Sequence, residues 1–319
     1  MKRITFLFLS CMVAICAGAA TLRVNNAANT AAQFNNVKDA LEAAQEGDVI
    51  IIEPSSQSYG DFEVGKKVTV KGGGYFLDVN DISYEGAAAS IADNITVSAV
   101  GVMVTGLDCN SIILLPGAND VVITRNEIRS IKLGGTFGYD VTDENAISGT
   151  IIHQNFVYAI SGPQYGAKAT GIQVTNNIIP YSYGQDRCIT SLRNSIIRNN
   201  TYGTNDDCAF RWIDNSVFEY NMGGKPEITE GKGNTYINNH QGGSYQEYGS
   251  INQMINHIPD SKYKEVDASI SAEHGAFAGE TPYVLSGIPS GPVIKDLTLP
   301  NSVEKGEDLK VTVVIGTQK

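Results

Sequence analysis

The chain has 319 residues, of which 18% are charged and 42% are hydrophobic, and its formal net charge is −11. Such an acidic protein is a poor ligand for nucleic acids and anionic membrane surfaces, because like charges repel. After the first residues no segment reaches the roughly eighteen apolar residues of a membrane span. We therefore expect no nucleic-acid partner and no transmembrane segment, with a monomer as the default state.

Residues 1–20 have the pattern of a secretory signal peptide. Two basic residues precede an apolar segment from Ile4 to Ala17, and small residues follow up to Ala20. This pattern predicts cleavage near Ala20, with a lipoprotein signal at Cys11 as the alternative. We therefore expect a secreted, periplasmic or cell-surface protein.

The first elements after the signal are a short helix and two strands. In residues 35–44 the apolar side chains recur at helical spacing, and Asn36 can cap the helix start. We expect this helix to cover the first coil of a repeat. Residues 49–53 and 68–71 are apolar and β-branched, which predicts buried strands.

A short pattern then recurs between residues 121 and 240, with an apolar pair shortly before an asparagine. The asparagines are Asn126, Asn155, Asn177, Asn200, Asn221 and Asn239, at intervals of 29, 22, 23, 21 and 18 residues. A period near twenty, filled with short β-branched runs, indicates a solenoid of strands and turns. Stacked coils place these asparagines in one column, where their amides can hydrogen-bond along the stack.

This pattern resembles the right-handed parallel β-helix proteins of the pectin-lyase-like superfamily, over roughly residues 35 to 258. The resemblance implies an all-β solenoid of about eight to ten coils, with an N-terminal capping helix and an irregular C-terminal β cap. We therefore predict a β-helix over residues 21–258 and an irregular linker or cap over 259–290. Alternating apolar residues in the final segment predict a short strand pair over 291–319. The fold does not decide function, because it carries lyases, hydrolases, binding proteins and adhesins.

One group of acidic residues is a candidate catalytic site. Asp186 and Asp207 each lie 14 residues before a ladder asparagine, so adjacent coils would make them neighbours of each other and of Asp206, with Arg211 close in register. The run Asp206-Asp207-Cys208 is similar to part of the polygalacturonase motif, although Asp186 lacks the preceding Asn-Thr of that family. The alternative is a turn whose aspartates bond their own backbone.

Two other features follow from the same spacing. Cys188 and Cys208 should sit on adjacent coils, either as a disulfide or as reduced core thiols. Tyrosines near the ladder could stack on sugar faces, and we assign substrate binding to side chains in the loops: Tyr139, Tyr181, Tyr183 and Arg187.

These features predict a secreted or surface protein that binds extracellular polysaccharide. One alternative is a polysaccharide-degrading enzyme, either polygalacturonase-like or a lyase, and another is a structural or adhesin-like protein. A lyase would need a basic residue as its base, and Lys168, Arg193 and Arg198 show no evident acidic partners in the sequence. No metal or cofactor motif is present, so we expect no cofactor; a calcium ion is conceivable but has no motif behind it.

Overall fold

A computed structural model of the chain describes residues 18–77, 89–135, 140–179, 189–202, 210–223, 228–229, 231–241, 273–284, 287–288, 292–298, 302 and 306–317. The predicted signal segment up to residue 17 lies outside these ranges. Within them, no helix is long and apolar enough to cross a membrane.

Two long sheets dominate the described part of the chain, and strands are numbered in chain order. Sheet A contains β1 (Thr21–Val24), β2 (Val49–Ile52), β4 (Thr69–Lys71), β6 (Met103–Thr105), β8 (Val122–Thr124), β10 (Ile151–His153), β13 (Gln173–Thr175), β17 (Ile196–Arg198), β20 (Val217–Glu219) and β23 (Thr235–Ile237). Sheet B contains β3 (Phe62–Val64), β5 (Ile91–Val97), β7 (Asp108–Leu114), β9 (Glu127–Leu133), β11 (Phe156–Ser161), β14 (Ile178–Ile179), β15 (Ile189–Thr190), β18 (Thr201–Tyr202), β19 (Phe210–Arg211), β21 (Met222–Gly223), β22 (Ile228–Thr229) and β24 (His240–Gln241). A small sheet C joins β12 (Ala169–Thr170) to β16 (Leu192–Arg193).

The strands of sheet A pair in parallel, each with the strand of the following coil. Ile123 lies opposite Ile152, and Ile152 lies opposite Val174. The strands of sheet B pair in the same way, as β7 does with β9 and β9 with β11. The structure is therefore all-β with long parallel sheets, consistent with the predicted β-solenoid.

The core lies between the sheets as columns of aliphatic side chains. Members of the sheet A column are fully buried: Ile50, Val70, Val104, Ile123, Ile152, Val174 and Ile197. Burying each such side chain stabilises the fold by about 1.5–3 kcal/mol. Every coil packs on its two neighbours, so the core extends along the whole stack.

In the six coils from β8 to β23, the chain turns from sheet A into sheet B through two residues. The first has a φ between 45° and 57° in six successive coils: Arg125, Gln154, Asn176, Asn199, Tyr220 and Asn238. The second is a ladder asparagine. The backbone N–H and the side-chain Nδ2 of Asn155 both donate to Oδ1 of Asn177, at 2.9 and 3.1 Å. Equivalent bonds continue the column from Asn126 to Asn239.

A shorter polar column supports the bend that leads into sheet A. The N–H of Ser195 donates to Oγ of Ser216 at 3.0 Å, and the N–H of Ser216 donates to Oδ1 of Asn234 at 2.9 Å. Side-chain oxygens thus satisfy backbone donors that the bend removes from the strand ladder.

Helix α1 (Val37–Ala43) precedes β2 and packs on the first strands. Its N-cap is Asn36, whose side chain accepts from the N–H of Asp39, and its buried face consists of Val37, Ala40 and Leu41. These side chains belong to the same core cluster as the sheets.

Near the end of the described chain, β25 (Pro292–Thr298) and β26 (Thr312–Thr317) form an antiparallel pair. Residues 273–284 with 287–288 precede this pair, and their hydrogen bonds link them to the bends of successive coils. We call these residues the strap. The segment predicted as an irregular linker or cap therefore includes a strap along the side of the solenoid.

Candidate functional site

Most residues that the sequence suggested for catalysis and binding lie outside the described ranges. They are Asp186, Asp206, Asp207, Tyr139, Tyr181, Tyr183 and Arg187, together with Cys188 and Cys208. The described strands beside them keep the predicted register. Strand β15 begins three residues after Asp186 and pairs in parallel with β19, which begins three residues after Asp207. The aspartates themselves stay a prediction.

Arg211 is the described member of that set. It lies on β19 opposite Thr190, and its guanidinium carbon lies 4.9 Å from the centroid of the Trp212 ring. A cation over an aromatic face is attracted by the ring quadrupole, so this contact orients the guanidinium.

Three basic residues that the sequence left without acidic partners each have one. Lys168 pairs with Asp214 at 2.5 Å. The other two pairs are Arg193 with Asp143, at 2.6 Å, and Arg198 with Glu219, at 2.5 Å. This corrects the sequence interpretation, because each cation is held by a carboxylate on the scaffold.

A pair of carboxyl groups stands where sheet B begins, one residue after the bend. Asp108 is the first residue of β7, Glu127 is the first of β9, and the two are direct partners in the parallel pairing. Parallel strands lie about 4.8 Å apart, so these half-buried side chains are close neighbours. We call Asp108 and Glu127 the carboxyl pair.

Burial changes the acid–base chemistry of the carboxyl pair. Burial, with a smaller contribution from the charge of Asp108, raises the pKa of Glu127 to about 8. Burial also raises the pKa of Asp108. Near neutral pH Glu127 therefore carries a proton in most molecules, and the pair can both donate and accept hydrogen bonds.

Aromatic rings pack beside the carboxyl pair. Phe156 follows Glu127 in the same column, and the Phe76 and Tyr158 rings meet it edge-on, with centroids 5.3 and 5.5 Å away. Both of these outer rings are partly exposed. Phe76 has a φ of 49°, a conformation that bulky residues rarely adopt and that is concentrated at functional sites.

Two buried tyrosines join this site to the strap. The hydroxyls of Tyr75 and Tyr283 hydrogen-bond to each other, and both side chains are buried. Burial raises the pKa of both hydroxyls, and the negative charge of Glu127 raises each further. The strap therefore ends within electrostatic range of the carboxyl pair.

No protein-family model, curated protein or solved structure matches the chain.

The described residues contain no group of three or more His, Cys, Asp or Glu side chains that could hold a metal ion. The carboxyl pair itself supplies two oxygen-bearing side chains. What it offers directly is proton transfer and hydrogen bonding to polar groups.

The sequence did not reveal the carboxyl pair, because the coil that contains Asp108 has no ladder asparagine. Glu127 directly follows a ladder asparagine, but Asp108 follows Leu107, which occupies the ladder position without an amide. The N–H of Leu107 donates to Oδ1 of Asn126 at 3.0 Å, which shows the register. The available signal was the 19-residue spacing between Asp108 and Glu127, which equals the spacing between Leu107 and Asn126 before them.

Proposed function

We propose that the chain is a secreted or cell-surface right-handed parallel β-helix protein, similar to the pectin-lyase-like superfamily, and that it binds an extracellular polysaccharide. The observation that supports this function is the carboxyl pair beside the partly exposed rings of Phe76 and Tyr158. In this proposal α1 caps the first coil, since its apolar face belongs to the core.

The chemistry of the site suits a saccharide. Sugars present hydroxyl groups at the ring edge and C–H groups on the ring face. Carboxyl groups accept hydrogen bonds from the hydroxyls, and aromatic rings pack against the C–H face. A net charge of −11 repels polyuronates, so we propose a neutral polysaccharide.

Affinity electrophoresis through gels containing neutral polysaccharides tests the binding proposal. We expect the wild-type chain to be retarded by at least one of them, with or without calcium. The double variant Asp108→Asn/Glu127→Gln should bind at least about tenfold more weakly, since it alters two contacts. Exposed Glu46 provides the matched control, and Glu46→Gln should behave like wild type. No retardation across plant, host and microbial glycans would instead favour a structural or adhesive protein.

Glycoside hydrolysis is the second candidate, and the raised pKa of Glu127, about 8, favours it. A protonated carboxyl can give its proton to the leaving oxygen, while Asp108 acts as the nucleophile. The strand spacing of about 4.8 Å is near the roughly 5–5.5 Å between the carboxyls of retaining glycosidases.

Release of reducing ends from the bound polysaccharide tests hydrolysis. We expect release to fall as pH rises through about 8, because Glu127 then loses its proton. Glu127→Gln should abolish it. If release persists in that variant but stops in Asp207→Asn, the catalytic group is instead the one predicted from Asp186, Asp206 and Asp207.

A further inference from the structure

We propose that the strap is a built-in lid that competes with polysaccharide for the flank of the solenoid beside the carboxyl pair. This inference rests on the proposed binding function and adds its regulation. The flank is the column of first residues in sheet B. It runs from the carboxyl pair to Phe156, Ile178 and Thr201 in the next three coils.

The strap is held by the residues with positive φ at the bends. Nδ2 of Asn176 donates to the carbonyls of Ala276 and Ala278, at 3.0 and 2.8 Å. Nε2 of Gln154 donates to the carbonyls of Thr281 and Pro282, at 3.2 and 2.5 Å. Side-chain donors at the bends therefore hold the main chain of the strap, in addition to the buried contact between Tyr283 and Tyr75.

The order of these contacts shows the path of the strap. Its first residue, Glu273, accepts from Asn199 at 3.1 Å, and Ile288 accepts from Nη1 of Arg125 at 3.1 Å. The strap thus runs from later coils to earlier ones, against the direction in which the coils accumulate. At Ile288 it contacts Arg125, which lies two residues before Glu127 of the carboxyl pair.

The fit is close because the strap uses small residues where it crosses the flank. A Cβ atom on Gly275 would lie 2.6 Å from Oγ1 of Thr201, and Ala276 is buried in a cluster with Phe156 and Ile178. The strap covers these apolar side chains, which supply the kind of surface that a sugar face contacts.

The strap can separate without breaking the solenoid. Its contacts with the bends are hydrogen bonds and apolar packing, whereas the coils are joined by their own strand pairing and by the asparagine ladder. Once the strap leaves, the side chains of Phe156 and Ile178 lose the cover of Ala276 and become available to a sugar face. Strap and polysaccharide would thus compete for the same apolar surface.

The test loosens the strap without straining the bends. Gln154→Gly and Asn176→Gly remove the donors, and glycine accepts the positive φ of 56° and 51° at these positions. The matched control is Asn194→Gly, at an exposed bend with φ 50°, whose side chain contacts Thr170 rather than the strap. Hydrogen–deuterium exchange reports strap opening, and affinity electrophoresis in neutral polysaccharide reports binding.

In the double variant, we expect exchange in residues 273–284 to rise at least about tenfold, because the four hydrogen bonds that these two side chains donate to the strap are lost. Exchange in Ile151–His153 should stay unchanged, and binding should tighten several-fold. Faster strap exchange with unchanged or weaker binding would overturn the lid while leaving the proposed function intact. If wild type and variants all fail to bind, the proposed function fails and the lid fails with it.

Discussion

In the six coils from β8 to β23, one residue with a positive φ turns the chain from sheet A into sheet B, and the ladder asparagine that follows stabilises the turn. Left-handed backbone costs an L-residue roughly 1–2 kcal/mol, with asparagine the least penalised after glycine. Asn176 and Asn199 occupy this position at the smaller cost, whereas Gln154 and Arg125 bear the larger one. All four side chains donate to the strap. The ladder asparagine that follows provides the compensating bonds.

Asn177 is the ladder residue whose loss we expect to be most damaging. Its side chain is fully buried, accepts two bonds from Asn155, and donates to Ile152, Thr175 and Asn200. Asn177→Ala leaves buried polar groups unpaired and should lower the free energy of unfolding by about 3–5 kcal/mol. Urea titration measures this change.

Asn110 supplies the control for that experiment. It is exposed on sheet B, and its side chain donates to Asn94 at 3.1 Å. Asn110→Ala should cost less than about 1 kcal/mol. Equal losses at Asn110 and Asn177 would contradict a stabilising role for the ladder.

Glu127 should make stability depend on pH. Its pKa is about 8 in the folded chain against 4.5 for an ordinary glutamate, so between these values the folded state binds more protons. The free energy of unfolding should therefore fall as pH rises from about 4.5 to 8, by up to a few kcal/mol. Glu127→Gln should remove this part of the slope in urea titrations, and Glu46→Gln should keep it. An unchanged slope in Glu127→Gln would mean that Glu127 ionises normally.

At the scale of elements, α1 is too short to be stable without tertiary contacts. Nζ of Lys66 donates to three carbonyls at the helix end, those of Leu41, Glu42 and Ala44, at 3.0, 2.8 and 2.7 Å. A cation there also complements the negative end of the helix dipole. Lys66→Met should lower the free energy of unfolding by about 1–2 kcal/mol. Thermal unfolding should show this as a lower melting temperature.

The neighbouring lysine makes a matched comparison for Lys66. Lys67 is exposed, so Lys67→Met should change stability by less than about 0.5 kcal/mol. If the Lys66→Met protein has the same melting temperature as wild type, the core face of α1 alone holds the helix in place.

The sequence was most informative where one residue type recurs at one register. The asparagine spacing predicted stacked parallel strands, and the apolar spacing with Asn36 predicted α1. Residues that pair across coils without a repeated residue type beside them, such as Asp108 and Glu127, could not be recognised in this way. Asp108 follows Leu107 rather than an asparagine, and its contact with Glu127 depends on the winding of a whole coil.

At the scale of the whole molecule, the position of the strap could not be predicted from local sequence patterns. Its contacts join positions that are far apart in the chain, as from Asn176 to Ala276 and from Arg125 to Ile288. The Gly- and Ala-rich strap has no period of its own, because it takes its path from the bends that it crosses. Its position beside Glu127 connects the C-terminal part of the chain with the candidate site.

For the whole molecule, we propose that polysaccharide binds on the flank of sheet B and displaces the strap. Hydrogen–deuterium exchange of the full chain, with and without a bound neutral oligosaccharide, tests this most directly. We predict slower exchange in Asp108–Leu114 and Glu127–Leu133, faster exchange in residues 273–284, and no change in the sheet A strand Ile151–His153. Protection confined to sheet A, with the flank and strap unaffected by a bound ligand, would contradict the account.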